Sequence, residues 1–156
     1  MKTLLLLLSA MTMLAAPPPA VGQAAPDFGL KDLGGMDRRL SEFTKQGPVV
    51  LVVLRGFPGY QCPLCNRQVM EFVKQADAFK SANARVVMVY PGPREMAQTK
   101  AEEFVMDKNL PQHFTLLVDP DYTMVLGYNL RWDAPKETAY PSTFVLDRKG
   151  VITFAK

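Results

Sequence analysis

Only two cysteines, one histidine and one tryptophan occur in the 156 residues, and each scarcity removes a class of chemistry. A closed zinc site needs four ligands, which Cys62, Cys65 and His113 cannot supply, and nothing around His113 has ligand spacing. Charge of one sign is also missing: 18 basic against 15 acidic side chains leave +3, too little for the footprint of a nucleic-acid or anionic-membrane binder. There is no internal repeat, low-complexity tract or second-domain linker. The one long apolar run lies at the start, from Leu4 to Ala16 behind Lys2. It is shorter than the ~20 residues a membrane span needs, and small residues and prolines follow it, so residues 1–24 are expected to be a secretory signal peptide cut after Ala24. A membrane association is expected only through that segment, if it stays as an anchor. Export, to the periplasm or outside the cell, would put the cysteines where disulfides persist.

What remains, residues 25–156, has the length of one domain with a core large enough to fold without staples. A polar, glycine-punctuated lead-in with Ser41 as a helix cap precedes "PVVLVVL", residues 48–54, an unbroken apolar run suited to a central strand buried on both faces. Val69, Phe72, Val73, Ala76 and Phe79 then recur at steps of three and four, predicting one amphipathic helix to about Lys80. "RVVMVY", residues 85–90, reads as a second buried strand closed by Pro91, Gly92 and Pro93, and residues 94–109 as a helix. "FTLLVD" is a third strand, "PDYTMVLGY" a short helix, and "STFVLDRKGVITFAK" a hairpin turning at Arg148, Lys149 and Gly150. Alternating strands and helices ending in a hairpin imply an α/β fold, a mainly parallel sheet with helices on both faces.

The two cysteines fall between the first buried strand and the helix that follows. A thiol at a helix start faces unpaired backbone N–H groups and the positive end of the helix dipole, which favour the thiolate. Two intervening residues let the second sulfur resolve whatever bond the first one makes. Pro63 suits the first helical position, where its missing N–H costs nothing. As a mere staple the pair would close a four-residue loop, worth only about 2 kcal/mol before strain. Redox chemistry is therefore the expectation, with neither metal nor organic cofactor required.

"APDFGL", "GPVVLVVLRGFPGYQCPLCNRQV", "LLVDPDYTMVLGY" and "AYPSTFVLDRKGVI" together resemble, in order and spacing, the redoxin branch of the thioredoxin-like superfamily. Within it the chain is similar to the alkyl hydroperoxide reductase and thiol-specific antioxidant group, in particular peroxiredoxin-like members with C-P-x-C. The resemblance covers residues 25–156 and implies a thioredoxin-like fold whose last helix would be missing after Lys156, leaving one sheet face under-covered. It implies a thiol-dependent oxidoreductase, with a thioredoxin-like or membrane electron donor as reductant and peroxide or a protein disulfide as substrate.

The resemblance allows two registers. Peroxiredoxins carry P-x-x-x-T-x-x-C, which puts Pro58 at the proline, Cys62 at the threonine and Cys65 at the peroxide-attacking position. Thioredoxins attack with the first cysteine, here Cys62, and resolve with the second, here Cys65. The peroxiredoxin arginine before the late strand is replaced by Pro141, which resembles the cis-proline of thioredoxins and predicts a cis Tyr140–Pro141 bond against the cysteines. No Asp or Glu lies between Pro48 and Gln61 to act as a thioredoxin-like buried base. Arg55 could replace the missing arginine, whereas Arg67 is expected to be a solvated surface charge; Gln68 could orient a bound oxygen, and Tyr60 and Trp132 are expected to pack. Cys62, ahead of the helix, is expected to be the more exposed sulfur. Two rival activities remain: a periplasmic disulfide reductase resembling cytochrome c maturation thioredoxins, and a Sco-type copper carrier using His113 with the cysteines, although Sco proteins have three residues between theirs.

Overall fold

The computed structural model describes residues 16–156. Most of the expected signal peptide, up to Ala15, therefore lies outside the described residues. The order is β1 (Gly29–Asp32), β2 (Asp37–Arg39), α1 (Leu40–Gln46), β3 (Val49–Val53), α2 (Pro63–Lys74), α3 (Ala76–Ser81), β4 (Arg85–Gly92), α4 (Arg94–Val105), β5 (Phe114–Pro120), α5 (Thr123–Gly127), β6 (Ser142–Leu146) and β7 (Ile152–Ala155). They build a seven-stranded sheet in the order β2-β1-β5-β4-β3-β6-β7. Its centre is parallel, β3 beside β4 and β4 beside β5, while β1, β2, β6 and β7 join antiparallel. The sheet is thus mixed around a parallel core, as the terminal hairpin requires.

The valine run explains the position of β3. Successive side chains point to opposite faces of a strand, so Val49, Leu51 and Val53 enter one core cluster and Val50, Val52 and Leu54 the other. Every residue of β3 is buried, and each fully buried aliphatic side chain contributes roughly 1.5–3 kcal/mol to holding the strand in place. One face is covered by Leu40 and Phe43 of α1 and Met124 and Val125 of α5, the other by Val69 of α2 and Ala97, Ala101 and Phe104 of α4. Both faces of the sheet centre are therefore covered, and the expected under-covering is limited to the terminal hairpin, where half-buried Val145 pairs with Phe154. Large apolar exposure on the terminal hairpin is confined to Phe154 of the edge strand β7, at 47%.

Four local expectations need correction. The single helix to Lys80 is interrupted at Gln75, whose φ of −99° and ψ of 17° break the turn between α2 and α3. The polar lead-in contains the β1–β2 hairpin, stitched by Lys31–Asp37 and Arg38–Asp32 ion pairs. The N-cap of α1 is Arg39 and not Ser41; the Ser41 backbone and hydroxyl instead donate to Asp27 at 3.0 and 3.1 Å. Strand β4 runs on through Pro91 to Gly92, in register with Asp119 and Pro120 of β5.

The described end of the expected signal peptide also bears on its cut site. Gly22 N–H donates to Ile152 O at 2.8 Å, Ile152 N–H donates to Gln23 O at 2.9 Å, and Ala24 bridges Val151. A cut after Ala24 would remove the partner of the β7 edge. No helix among the described residues is long and apolar enough to cross a membrane.

Candidate active site

The site lies where β3 ends and α2 begins, at the carboxyl edge of the parallel strands, the end at which open α/β sheets bind ligands. Leu54 is still tied to β4, its N–H donating to Val89 O at 2.9 Å. The chain then crosses a loop to Cys62, the N-cap of α2, with Pro63 at the first helical position as expected. Gly56 makes this loop passable. Its φ is +72°, and a Cβ there would lie 2.1 Å from the Pro91 carbonyl oxygen. Gln61 anchors the other end: it accepts from the Tyr90 hydroxyl at 2.8 Å and donates to Lys100 O at 2.9 Å.

Both thiols are free and buried. Cys62 is 4% exposed and Cys65 3%, so the expected difference in exposure is absent; both belong to the core cluster that α2 and α4 form against the sheet. Their surroundings differ instead. Cys62 Sγ accepts the Cys65 N–H at 3.4 Å, the capping bond that a threonine hydroxyl could make at this position. Cys65 Sγ accepts the Arg55 backbone N–H, also at 3.4 Å. Burial pushes the Cys65 thiol up to about 12; the Arg55 bond opposes this, and the neighbouring Cys62 adds to it. At neutral pH Cys65 is therefore held as a thiol.

That shift has a consequence for stability. Cys65 has an ordinary value of 9.0, so between there and its folded value the native state keeps a proton that the unfolded chain has released. Stability must then fall as pH rises above about 9, with a slope of up to about 1.4 kcal/mol per pH unit for each such group. Tyr90 and Tyr128, also raised mainly by burial, act in the same direction from higher pH. Urea unfolding of the reduced protein at pH 8 and pH 10 should show the loss, and Cys65→Ser should reduce it. Equal slopes in the two proteins would contradict the assignment to Cys65.

Arg55 is the central cation of the site. Its guanidinium grips the Glu137 carboxylate with two bonds, 2.9 and 2.5 Å, and donates to the Tyr60 hydroxyl at 2.9 Å. It lies 5.0 Å from the Trp132 ring centroid and 5.6 Å from that of Tyr60. Trp132 in turn stacks on Tyr140 at 4.9 Å. The two aromatics thus pack as expected, and what they pack against is the arginine. Glu137 was not legible as a site residue because it is 82 positions from Arg55.

The other candidates separate. Pro58 is buried in the loop, and Arg67 is exposed on α2 as expected. Gln68 donates to Thr143 Oγ1 of β6 at 2.9 Å, fastening α2 to the sheet, so its amide is engaged in packing. Pro141 is exposed, and no cis peptide bond occurs among the described residues. The Tyr140–Pro141 bond is trans, which corrects the cis expectation and removes its support for a thioredoxin-like groove. The physical reason is local: Pro141 leads straight into the first residue of β6, Ser142, and a trans proline fits such a position. His113 precedes β5 at the opposite end of the parallel strands, with Nε2 3.0 Å from Ala76 O. It does not join the cysteines, so the copper-carrier arrangement is not formed, and no cluster of three or more metal-binding side chains occurs among the described residues.

A buried C-P-x-C on the first turn of a helix, behind a strand of a thioredoxin-like sheet, is the arrangement of redoxins, and the family model for the AhpC/TSA family matches residues 21–155. The chain belongs to the AhpC/TSA family. Among curated proteins, this AhpC/TSA chain is 33% identical over 131 residues to chloroplastic peroxiredoxin Q of Populus jackii, covering 84% of the chain and 57% of that relative. It is 28% identical over 134 residues to the thiol-disulfide oxidoreductase ResA of Geobacillus kaustophilus, covering 85% and 67%. The chain therefore spans little more than half of the peroxiredoxin Q. The fold matches the crystal structure of peroxidoxin BcpB from Mycobacterium tuberculosis with a TM-score of 0.76 at 24% identity, over 90% of this chain and 86% of that one. The relatives thus include both a peroxide-type and a disulfide-type name, the same two registers that the C-P-x-C allows.

Proposed function

We propose that this AhpC/TSA member is an exported thiol oxidoreductase that cycles Cys62 and Cys65 between dithiol and disulfide, with Cys62 attacking first. The observation that carries the order of attack is the place of Cys62 at the N-cap of α2, before the first helical N–H groups, while burial and the neighbouring Cys62 push the Cys65 thiol up. The Cys62 thiolate attacks one sulfur of a substrate disulfide, forming a mixed disulfide and expelling the other sulfur as a thiolate that takes up a proton. Cys65 then gives up its proton and attacks Cys62 Sγ. That closes the Cys62–Cys65 disulfide and releases the second substrate thiol, so two electrons have moved to the substrate. An external dithiol, from a thioredoxin-like or membrane donor, returns the pair to the reduced state. Export rests on the residue pattern of the first 24 positions.

A second reading has an observation of its own. The Arg55 backbone N–H donates to Sγ of Cys65, the peroxide-attacking position, and peroxide is small enough to enter a nearly closed site. Its turnover should nevertheless be slow, because a buried thiol must first lose its proton. Turnover of hydrogen peroxide and of glutathione disulfide by the reduced chain, compared in one assay with excess dithiol, tests the reading. Disulfide reduction should be the faster at pH 7, and peroxide turnover far above disulfide turnover would overturn the order of attack.

A further inference from the structure

The charge nearest the Cys65 loop is not free. Arg55 supplies its backbone N–H to Cys65 Sγ, yet its guanidinium is gripped at both ends by Glu137 and enclosed by Tyr60 and Trp132. The pair is well shielded, with side-chain exposures of 19% for Arg55 and 17% for Glu137, so solvent screens it less than a surface pair. A carboxylate this close opposes the field that the guanidinium projects onto a neighbouring sulfur. The Arg55 charge does favour the Cys65 thiolate, but its effect is smaller than those of burial, the Arg55 backbone bond and Cys62.

We propose that Glu137 is a positioning residue that biases the site toward disulfide exchange, by holding the Arg55 guanidinium in an ion pair that weakens its pull on Cys65. The inference rests on the thiol-oxidoreductase reading above and adds a determinant of which oxidant is used. With Glu137 neutralised, the Cys65 thiolate forms more readily. It attacks one oxygen of a peroxide, an S–O bond forms as the O–O bond breaks, and the alcohol or water leaves with a proton. Cys65 is left as a sulfenic acid, having given two electrons. Cys62 then attacks that sulfur, water departs, and the disulfide closes.

The charged and titratable groups around both partners are few. Cys65 is faced by Cys62 from its own turn, by Arg55 at the end of β3 and by Tyr90 from β4. Behind Tyr90 stands Glu103 of α4, itself paired with Lys100 at 2.7 Å. Glu137 is faced by Arg55, with Tyr60 across the guanidinium; Lys136 adjoins it, and Arg131 donates to its carbonyl at 2.9 Å.

The test uses the full chain with Cys62→Ser, so that Cys65 is the only thiol, and follows its alkylation against pH together with sulfenic acid formation by hydrogen peroxide at pH 7. Glu137→Gln should move the alkylation midpoint down by about one pH unit and speed sulfenic acid formation roughly tenfold. Glu137→Asp, which keeps the charge, should stay near the parent, and Glu137→Gln should have no effect in an Arg55→Gln background. An unchanged midpoint, or the same shift without Arg55, overturns the proposal. Should Glu137→Gln and Glu137→Ala both fail to give a cooperative thermal melt, the pair is a folding requirement and the proposal is equally overturned. Failure of the underlying reading looks different: with both cysteines present, no reversible disulfide forms whatever stands at 137.

Discussion

Replacing Cys65 by serine is expected to stop turnover of glutathione disulfide by about 10³-fold or more while leaving Cys62 trapped as a mixed disulfide. The size of the loss follows from the way covalent catalysis depends on each member of a nucleophile pair. Without Cys65 the mixed disulfide has no internal sulfur to resolve it. It should accumulate to one glutathione per chain, visible by intact mass. Cys62→Ser should lose the same activity without trapping glutathione, because the buried Cys65 thiol is a poor nucleophile at neutral pH. With hydrogen peroxide in place of the disulfide, Cys62→Ser should form a sulfenic acid at Cys65, slowly. The opposite pattern, a glutathione adduct on Cys65 in the Cys62→Ser chain and none on Cys62, would reverse the assigned roles.

The second large effect lies at a residue with no side chain. Gly56→Ala is expected to cost about 2–4 kcal/mol and to abolish activity in whatever protein still folds. Two independent faults combine: φ is +72°, where L side chains are strained, and the new methyl would sit 2.1 Å from the Pro91 carbonyl oxygen. Relief requires the loop to move away from β4, and the loop carries Arg55, whose N–H bonds Cys65. Equilibrium urea unfolding reads the first effect and the assay above the second. A variant within ~0.5 kcal/mol of the parent, with normal turnover, would show that the loop does not depend on this approach.

Much of this architecture is written locally. The valine run of β3 and the apolar steps along α2 specify period and burial directly, and Cys62-Pro63 marks the helix start through capping chemistry alone. The β1–β2 hairpin was not legible because its residues are charged: Lys31, Asp32, Asp37 and Arg38 pair with one another across the turn, where an apolar alternation would otherwise mark a strand. Gln75 carries no helix-breaking signature, so the split between α2 and α3 left no trace in the periodicity. At the site, the family resemblance located the cysteines but not their environment. Equal burial of the two sulfurs arises from their place in the core cluster between sheet and helices, the trans bond at Pro141 belongs to the start of β6, and the Arg55–Glu137 pair comes from a contact between distant parts of the chain. Such long-range terms have no local pattern to announce them. Tyr90 is the instructive case, since it reads as one more residue of a buried strand, yet its hydroxyl holds Gln61 next to Cys62.

The central claim is a reversible two-electron exchange within one C-P-x-C, and one peptide contains all of it. Trypsin cutting after Arg55 and Arg67 releases residues 56–67 with both cysteines. The measurement is the mass of this peptide from the full chain, taken after treatment with one equivalent of glutathione disulfide and again after reduction by dithiol, with free thiols blocked in each case. The account predicts that oxidation removes two hydrogens and both blocking sites, and that reduction restores them completely. A peptide that still takes two blocking groups after oxidation, or one whose oxidised form is not reversed by dithiol, would contradict it.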